Sequence, residues 1–519
     1  MIQLRPHDPA TRTDADTEHA APALRVAEAT AIGGLLLYAV FAPHSIAGAW
    51  IALSISILGW LARALITRRT NFSRTRFRRT PLDLPLLLFY LWSVLSAFVS
   101  AEPRISLLKL LSVSSFLIFY LVRALVRTRR MAVAIAALMI ASGAAGALWS
   151  VFEVVRGRGV VVEEIAPDSP LLRDPSLGVA VGDSVWRVNG RRVNSVEEID
   201  QAIKDAAAGD RLRLSLFTQG EQAERVATER VSDELKARAS PSGLRATRRA
   251  HRFRASGWTR HYQTFAETLQ ILAQLSLGFA LAYWQRRHTA GGGARLRVAL
   301  SAAAFLLLAS GIALTAMRTV LVAFTIGASV VAWRAARGRA RLVVLAAIAC
   351  ALALGAFAVW RTRAEGALRL QDESSRLRLA VARVAVARIP LHPFFGHGMD
   401  AVKEHWTEWG FPGHIKIHTH STPIQLAFDR GLPALLIWLW LLAVFWLVLT
   451  RGERQLRAAR NDPATHGLLL GATGALAGFF ASSLVNYNFG DAEVALVLWW
   501  LMATVVSVLD QTRVAPRPE

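Results

Sequence analysis

The chain has 519 residues, 53% of them hydrophobic, a formal net charge of +23 and one cysteine. Its apolar residues fall in repeated long runs, which excludes a single soluble domain, and its arginines fall in short clusters between those runs, which excludes the continuous basic face of a nucleic-acid binder. Cys350 lies inside an apolar run, so neither a disulfide framework nor a Cys-based metal site is available.

Residues 1–26 are polar and mixed in charge, without the basic, apolar and small-residue order of a cleavable signal, and read as a cytoplasmic tail. A helix needs about 20 apolar residues to cross a bilayer. The segments that qualify are 27–43, 46–66, 83–100, 104–126, 131–152, 262–284, 297–317, 319–334, 342–360, 431–450, 466–486 and 490–510. The predicted fold class is therefore a polytopic α-helical membrane protein of about twelve transmembrane helices, five over 27–152, four over 262–360 and three over 431–510. Arginine clusters at Arg68–Arg79, Arg127–Arg130, Arg286–Arg297, Arg334–Arg341 and Arg451–Arg460 follow every second span. All five fall on one side, which the positive-inside rule makes cytoplasmic, together with both termini, including the tail 511–519.

Two long excursions face the other side. In the first, 153–232, β-branched residues alternate with glycine turns, which reads as a small α/β domain inserted between spans. Gly159-Val160-Val161-Val162 through Ala166-Pro167-Asp168-Ser169-Pro170, and then Val181-Gly182-Asp183-Ser184-Val185-Trp186-Arg187-Val188-Asn189-Gly190, suit strands joined by tight turns, with Asn189-Gly190 at a hairpin. A helix over 196–208 and a strand over Arg211–Phe217 follow. Over 156–230 this pattern resembles a PDZ domain of the bacterial protease type. Such domains add an extended peptide to a sheet edge and receive its C-terminal carboxylate in a backbone nest. The resemblance implies that the nest is Gly157, Arg158 and Gly159, with a peptide or protein partner; Arg158 stands where peptide-binding relatives carry an apolar residue. A docking or lid role is the alternative. Residues 233–261 are rich in Ala, Arg and Ser and read as a linker back to the membrane.

The second excursion, 361–430, holds His392, His397, His405, His414, His418 and His420. Imidazole exchanges protons near neutrality and guanidinium groups bind phosphate oxygens in a fixed fork, so histidines and arginines gathered outside the cytoplasm suit chemistry on a phosphorylated substrate. Nucleotide-sugars and ATP are cytoplasmic; a reaction on the outer face needs a substrate already activated, typically on a lipid carrier. A metal reading through His414, His418, Asp400, Glu404, His405 and Glu408 is opposed by Pro412-Gly413, which interrupts the helix needed to align them.

An Arg254-Ala255-Ser256-Gly257 stretch before one span, the Thr315-x-x-Arg318 turn, Ser374-Ser375-Arg376-Leu377-Arg378, the segment His392-Pro393-Phe394-Phe395-Gly396-His397-Gly398, and His420 with Gly431 together resemble the O-antigen ligase and polymerase superfamily over 254–510. The resemblance implies an inner-membrane glycosyltransferase of bacteria, working on the periplasmic face. It would move a glycan from an undecaprenyl-pyrophosphate carrier to a hydroxyl of lipid A core, of a growing polysaccharide or of a protein. By motif position, Arg254 and Arg318 would engage the pyrophosphate and His420 would be the general base. Arg260, Arg376, Arg378 and His418 are the further substrate-binding candidates, and His418 remains open as the base. The family implies no metal and no other cofactor. Ligation, polymerisation and protein glycosylation share this chemistry. The competing class is a non-enzymatic transporter or envelope scaffold, for which broken spans or paired midplane charges would be expected.

Overall fold

The computed structural model describes residues 10–69, 79–167, 169, 179–217, 224–251, 253–287, 293–344, 346, 373–413, 416, 418–459 and 462–514. Among them ten helices are long and apolar enough to cross a membrane, and Asp83–Val99 is a shorter apolar helix. The predicted span 342–360 lies almost wholly outside the described residues.

The first helices are α1 (Ala10–Phe41), α2 (Ile46–Arg69), α3 (Asp83–Val99), α4 (Pro103–Val113), α5 (Ile118–Leu125) and α6 (Arg129–Arg156). The insertion follows with β1 (Val160–Ile165), β2 (Ser184–Val188), β3 (Arg191–Arg192), α7 (Val196–Asp205), β4 (Arg211–Phe217), β5 (Glu224–Arg230), α8 (Asp233–Lys236) and β6 (Leu244–Arg249). The remaining helices are α9 (Tyr262–Gln285), α10 (Gly293–Leu314), α11 (Arg318–Ala335), α12 (Glu373–Arg388), α13 (Thr422–Ala459), α14 (Pro463–Ser483) and α15 (Ala492–Val514). The chain forms two compact units, a helical one and one comprising residues 147–257 with 314–316.

In the helical unit α9 is buried along most of its length and packs against α11 and α14. Lipid offers no hydrophobic drive for helix pairing, so close backbone contact must supply it. Small residues make that contact here: a Cβ on Gly278 would collide with the backbone of Gly467 and Gly471, and one on Gly327 with Gly474. A hydrogen bond from Gln274 Nε2 to the Phe324 carbonyl (2.8 Å) ties α9 to α11. At one end of the unit Arg334 Nε donates to Glu453 Oε2 at 2.7 Å and Arg123 Nη2 to Asp510 Oδ2 at 3.0 Å.

Two spans depart from their predicted form. The span predicted over 104–126 is α4 and α5 joined by a 3₁₀ turn, Ser114–Leu117. The span predicted from 431 is part of α13, which begins at Thr422 and bends at Gly431 (φ 79°, ψ 171°). Pro433 tolerates this position because it sits in the first turn after the break, where its missing N–H would have no helical acceptor. The histidine-rich segment 361–430 likewise contains ordered helix, α12, and ends within α13.

The inserted unit is one antiparallel sheet in the order β5-β4-β2-β1-β6, with β3 beside β2. Asn189 (φ 48°) and Gly190 (φ 80°) form the hairpin turn their sequence suggests. Ser195 caps α7 by accepting from the Glu198 N–H, and the Glu198 carboxylate turns back to the Asn194 N–H. Val160, Val162, Val185, Val188, Leu214 and Ile199 form the core; burying each such side chain is worth roughly 1.5–3 kcal/mol.

The linker expected over 233–261 is corrected in its first part. It supplies α8 and then β6, which pairs with β1 from Val160↔Arg249 to Ile165↔Leu244. Leu244 joins the core beside Ile199 and Ile203, while Arg245, Arg248 and Arg249 are exposed, so an edge strand with one apolar anchor has the composition of a charged linker.

Candidate functional site

The segment 392–398 is locked onto the bend of α13. His397 N–H donates to the Phe428 carbonyl (2.8 Å), Gly398 N–H to Asp429 O (2.9 Å) and Leu432 N–H to Pro393 O (2.8 Å). Gly396 (φ 70°) lies against the Asp429–Arg430 peptide and Gly431 against the Phe394 carbonyl, so closely that a Cβ at either would overlap backbone. From α3, Ser96 Oγ donates to Phe395 O (2.6 Å) and Trp92 Nε1 to Arg430 O (2.9 Å), while the Trp92 and Phe395 rings stack at 5.4 Å. The glycines of this motif are therefore points of interlock. His397 serves the same end: its ring stacks on Phe428 at 4.5 Å, its Nε2 meets the Arg388 carbonyl at 3.1 Å, and burial lowers its pKa to about 4.

His420 follows this scaffold in an unusual backbone state. Its φ is 54°, in the left-handed region where a side chain costs energy, and such strain persists only when neighbouring contacts impose it. Those contacts are at hand. Thr419 N–H donates to Gln425 Oε1 (2.7 Å), and Thr422 N–H and Oγ1 both donate to the Asn486 carbonyl (3.2 and 3.1 Å). The His420 N–H donates to His418 Nδ1 at 3.3 Å and the two rings meet edge to face at 4.5 Å. Burial, with smaller contributions from His418 and Arg378, lowers the His420 pKa to about 3; burial, Lys403 and Arg378 lower that of His418 to about 4. Both rings are neutral at pH 7, and His420 Nδ1 is buried without a hydrogen-bond partner among the described residues.

Beside His418 opens a cleft of 410 Å³ whose lining includes Lys109, Asp400, Lys403, His418, Arg430 and Tyr487. Lys109 Nζ and Lys403 Nζ both lie 2.9 Å from Asp400 carboxylate oxygens. Burial alone would raise the Asp400 carboxyl, but its bonds and proximity to the two lysines outweigh burial and hold it below its usual range. Arg430 is buried over the Phe89 ring at 5.3 Å.

The other sequence-predicted residues lie on several elements. Arg318 is exposed at the start of α11, and the next residue, Thr319, accepts from Asn486 Nδ2 at 3.1 Å. The turn at Asn486 thus bonds both to the residue after Arg318 and to Thr422, two residues after His420. Arg378 is half-buried and close enough to depress both histidines, whereas Arg376 and Arg260 are exposed. Arg254 lies in the other unit, half-buried; the adjacent Ala255 N–H donates to Leu314 O at 3.0 Å, which ties this stretch to the turn leading into Arg318. His414 lies outside the described residues, among which no three His, Cys, Asp or Glu side chains converge as metal ligands.

In the inserted unit, Gly157 (φ 84°) and Gly159 (φ 72°) flank Arg158. The Arg158 N–H is taken by the Ala250 carbonyl (2.6 Å), and its guanidinium pairs with Glu153 at 3.0 Å and lies 4.4 Å from the Phe253 ring centre.

Sequence reasoning missed Lys109, Arg430, Asn486, Asn488 and Glu267, and weighed Asp400 only as a metal ligand. Glu267 carried a signal, being an acidic residue inside an otherwise apolar span; the others come together only through the fold.

Ten long apolar helices around this arrangement define a polytopic α-helical membrane protein. Residues 303–439 match a family model described as O-antigen ligase, and that match with the apolar helices supports the O-antigen ligase superfamily and a glycosyltransferase-like function. The matched stretch contains Arg318, Arg376, Arg378, His418, His420 and Gly431. Among curated proteins no relative matches the chain.

Proposed function

We propose that the protein is a glycosyltransferase of the bacterial inner membrane that moves a glycan from undecaprenyl pyrophosphate to an acceptor hydroxyl on the periplasmic face. The acceptor oxygen forms the new bond to the anomeric carbon, the bond from that carbon to the pyrophosphate oxygen breaks, and undecaprenyl pyrophosphate leaves with the electron pair. The hydroxyl proton passes to a histidine. Arg318, with Arg254, would bind the pyrophosphate and offset the charge developing on it; Arg378 would assist from α12, and Arg260 and Arg376 would meet the donor at the margin. Lipid A core, a growing polysaccharide and a protein are all acceptors that this chemistry accommodates.

The observation that carries the reading is the common anchoring of the Arg318 and His420 segments on the turn at Asn486, within the stretch matched by the family model. It brings a fixed cation and a neutral imidazole to one end of the helix bundle. The hydrogen bonding supports His420 as the histidine that takes the proton. His418 Nδ1 accepts from the His420 N–H, so the neutral His418 ring carries its hydrogen on Nε2 and has no lone pair left for an incoming proton. His420 keeps an unengaged Nδ1. Its pKa of about 3 makes it a weak base by itself, and an anionic donor beside it would raise that value.

For the inserted unit we propose a PDZ-like docking role. The antiparallel sheet, the capped α7 and the glycine-flanked loop before β1 support that reading; the placement of β6 bears on whether a peptide can enter.

The test is transfer by the full-length protein in phospholipid nanodiscs. Arg318→Lys keeps the charge but not the bidentate fork and should cost roughly 100-fold or more in turnover. His420→Ala should be inactive and His418→Ala only impaired. A wild-type protein that turns over no lipid-linked glycan, or an Arg318→Lys variant with full activity, would sink the proposal, and an active His420→Ala beside a dead His418→Ala would move the base by two residues.

A further inference from the structure

A buried carboxylate in α9 takes no part in the chemistry just described, yet hydrogen bonds lead from it to both halves of the site. Glu267 is 1% exposed. Its Oε1 accepts from Ser482 Oγ at 2.5 Å and its Oε2 from Asn488 Nδ2 at 3.3 Å. Ser482 Oγ also accepts from Asn486 Nδ2 (3.0 Å), which reaches Thr319 Oγ1 (3.1 Å) beside Arg318. The hydroxyl of Thr422, two residues from His420, shares its one hydrogen between the Asn486 carbonyl and Asn488 Oδ1, each 3.1 Å away. One carboxylate therefore clamps the turn 482–488, and that turn holds the start of α11 on one side and the start of α13 on the other. Next to it, Thr264 Oγ1 donates to Asp491 Oδ2 at 2.5 Å, fixing α9 to the other end of the same connection.

We propose that Glu267 is a positioning residue of the transfer site, setting the placement of Arg318 relative to His420 through the turn at Asn486 and Asn488. This inference rests on the transfer reading above. An acidic side chain in an apolar span is expensive to keep unless it is fully bonded or has a task, and packing alone would be met more cheaply by an apolar residue. Both oxygens here act as acceptors, so the amide of glutamine cannot substitute. With its NH₂ toward Asn488 two donors face each other; with its NH₂ toward Ser482 the hydroxyl receives two donors and its own hydrogen loses its acceptor. Either orientation loosens the turn and lets the two site segments shift. A displacement of about 1 Å between reacting groups costs roughly 100-fold in rate.

The experiment uses full-length protein in nanodiscs with an undecaprenyl-pyrophosphate-linked oligosaccharide as donor and core lipopolysaccharide as acceptor. Glu267→Gln should lower kcat about 100-fold with donor KM within about threefold, because the binding groups survive while their alignment does not. Asn486→Ala, which cuts the links to Thr319 and Ser482 while keeping the Glu267 carboxylate, should give the same kcat-weighted loss in smaller degree and serves if Glu267→Gln does not fold. Gln274→Leu, two turns deeper on α9, removes a bond to α11 that serves neither site segment; it should lower Tm yet leave kcat within about threefold. Activity of both Glu267→Gln and Asn486→Ala within threefold of wild type, or an equal kcat loss in Gln274→Leu, would overturn the inference while the transfer reading stands on Arg318→Lys. A wild-type protein without turnover overturns both.

Discussion

At the scale of single residues, the histidines of this protein divide into those that build and those that can react. His397 is 3% exposed and bonded through its backbone and ring, so its neutral form is part of the packing. Its folded pKa of about 4 lies below the ordinary 6.5, so the unfolded chain binds more protons between those values. The stability it contributes is complete above about pH 6.5 and is lost as the pH falls toward 4. Integrated from pH 7 to pH 5, that amounts to about 2 kcal/mol for one such group. His44 and His418, also lowered to about 4, and His420, lowered to about 3, add in the same direction. The measured Tm should therefore fall steadily between pH 7 and pH 5, and His397→Gln should flatten the slope while lowering Tm at pH 7. A Tm that is constant over this range would show that these rings titrate normally. His405 is the contrast: the Glu408 carboxylate bonded to Nδ1 raises its pKa, burial opposes the rise, and the Glu102 carboxylate at Nε2 adds to it.

At the scale of elements, the inserted sheet raises a question of occupancy. A peptide joining this sheet beside the loop Gly157–Gly159 would need the free edge of β1, and β2 and β6 already flank that strand. The loop's Arg158 N–H is likewise engaged by the Ala250 carbonyl, at the position where a peptide's terminal oxygen would be received. β6 is held by more than its ladder: Asp200 of α7 accepts from Ser240 Oγ (2.9 Å) and from Ser242 N–H (2.8 Å), just before Leu244 enters the core. Peptides with a free C-terminus should therefore bind the wild-type protein weakly, with Kd above about 1 mM, a level at which binding free energy is only about 4 kcal/mol. Arg248→Pro, opposite Val161 in the ladder, removes a strand donor and should expose the β1 edge, tightening binding at least tenfold in a fluorescence-anisotropy titration. Equal binding by both proteins would mean that peptides dock elsewhere or not at all.

The whole molecule is organised by which helix ends carry which groups. Arg334 with Glu453 and Arg123 with Asp510 bond at one end, and the segments around Thr319, Thr422 and Asn486 meet at the other. On the arginine bias we propose that the first end is cytoplasmic. With Cys350→Ser as background, a cysteine at Lys204 should react with a membrane-impermeant maleimide in intact spheroplasts, and one at Arg451 only after lysis. Reversed labelling would put the histidine segment in the cytoplasm and remove the basis for a lipid-linked donor.

How much could be read in the chain follows from the range of the forces involved. Spans and the strands around Asn189-Gly190 rest on local runs, alternation and turn chemistry, and a sequence displays these directly; the proposed sidedness and the proposed roles of Arg318 and His420 rest on arginine clusters and short motifs. The sequence also marked Gly396, Gly398 and Gly431, but only the packed chain explains them, since each meets backbone or side chains far away in sequence. β6 was hidden because a strand with one anchored leucine and three exposed arginines reads as solvated chain. The positive φ of His420, the pairing of Asp400 with Lys109 and the bonds from Glu267 to the Asn486 turn were beyond any local pattern, because each depends on bonds between segments separated by tens to hundreds of positions. The amino-acid order determined that this is a multi-span membrane protein with cationic and imidazole groups at the ends of its helices; tertiary packing alone decided which of those groups share a turn, because burial in lipid leaves polar side chains no partners except one another.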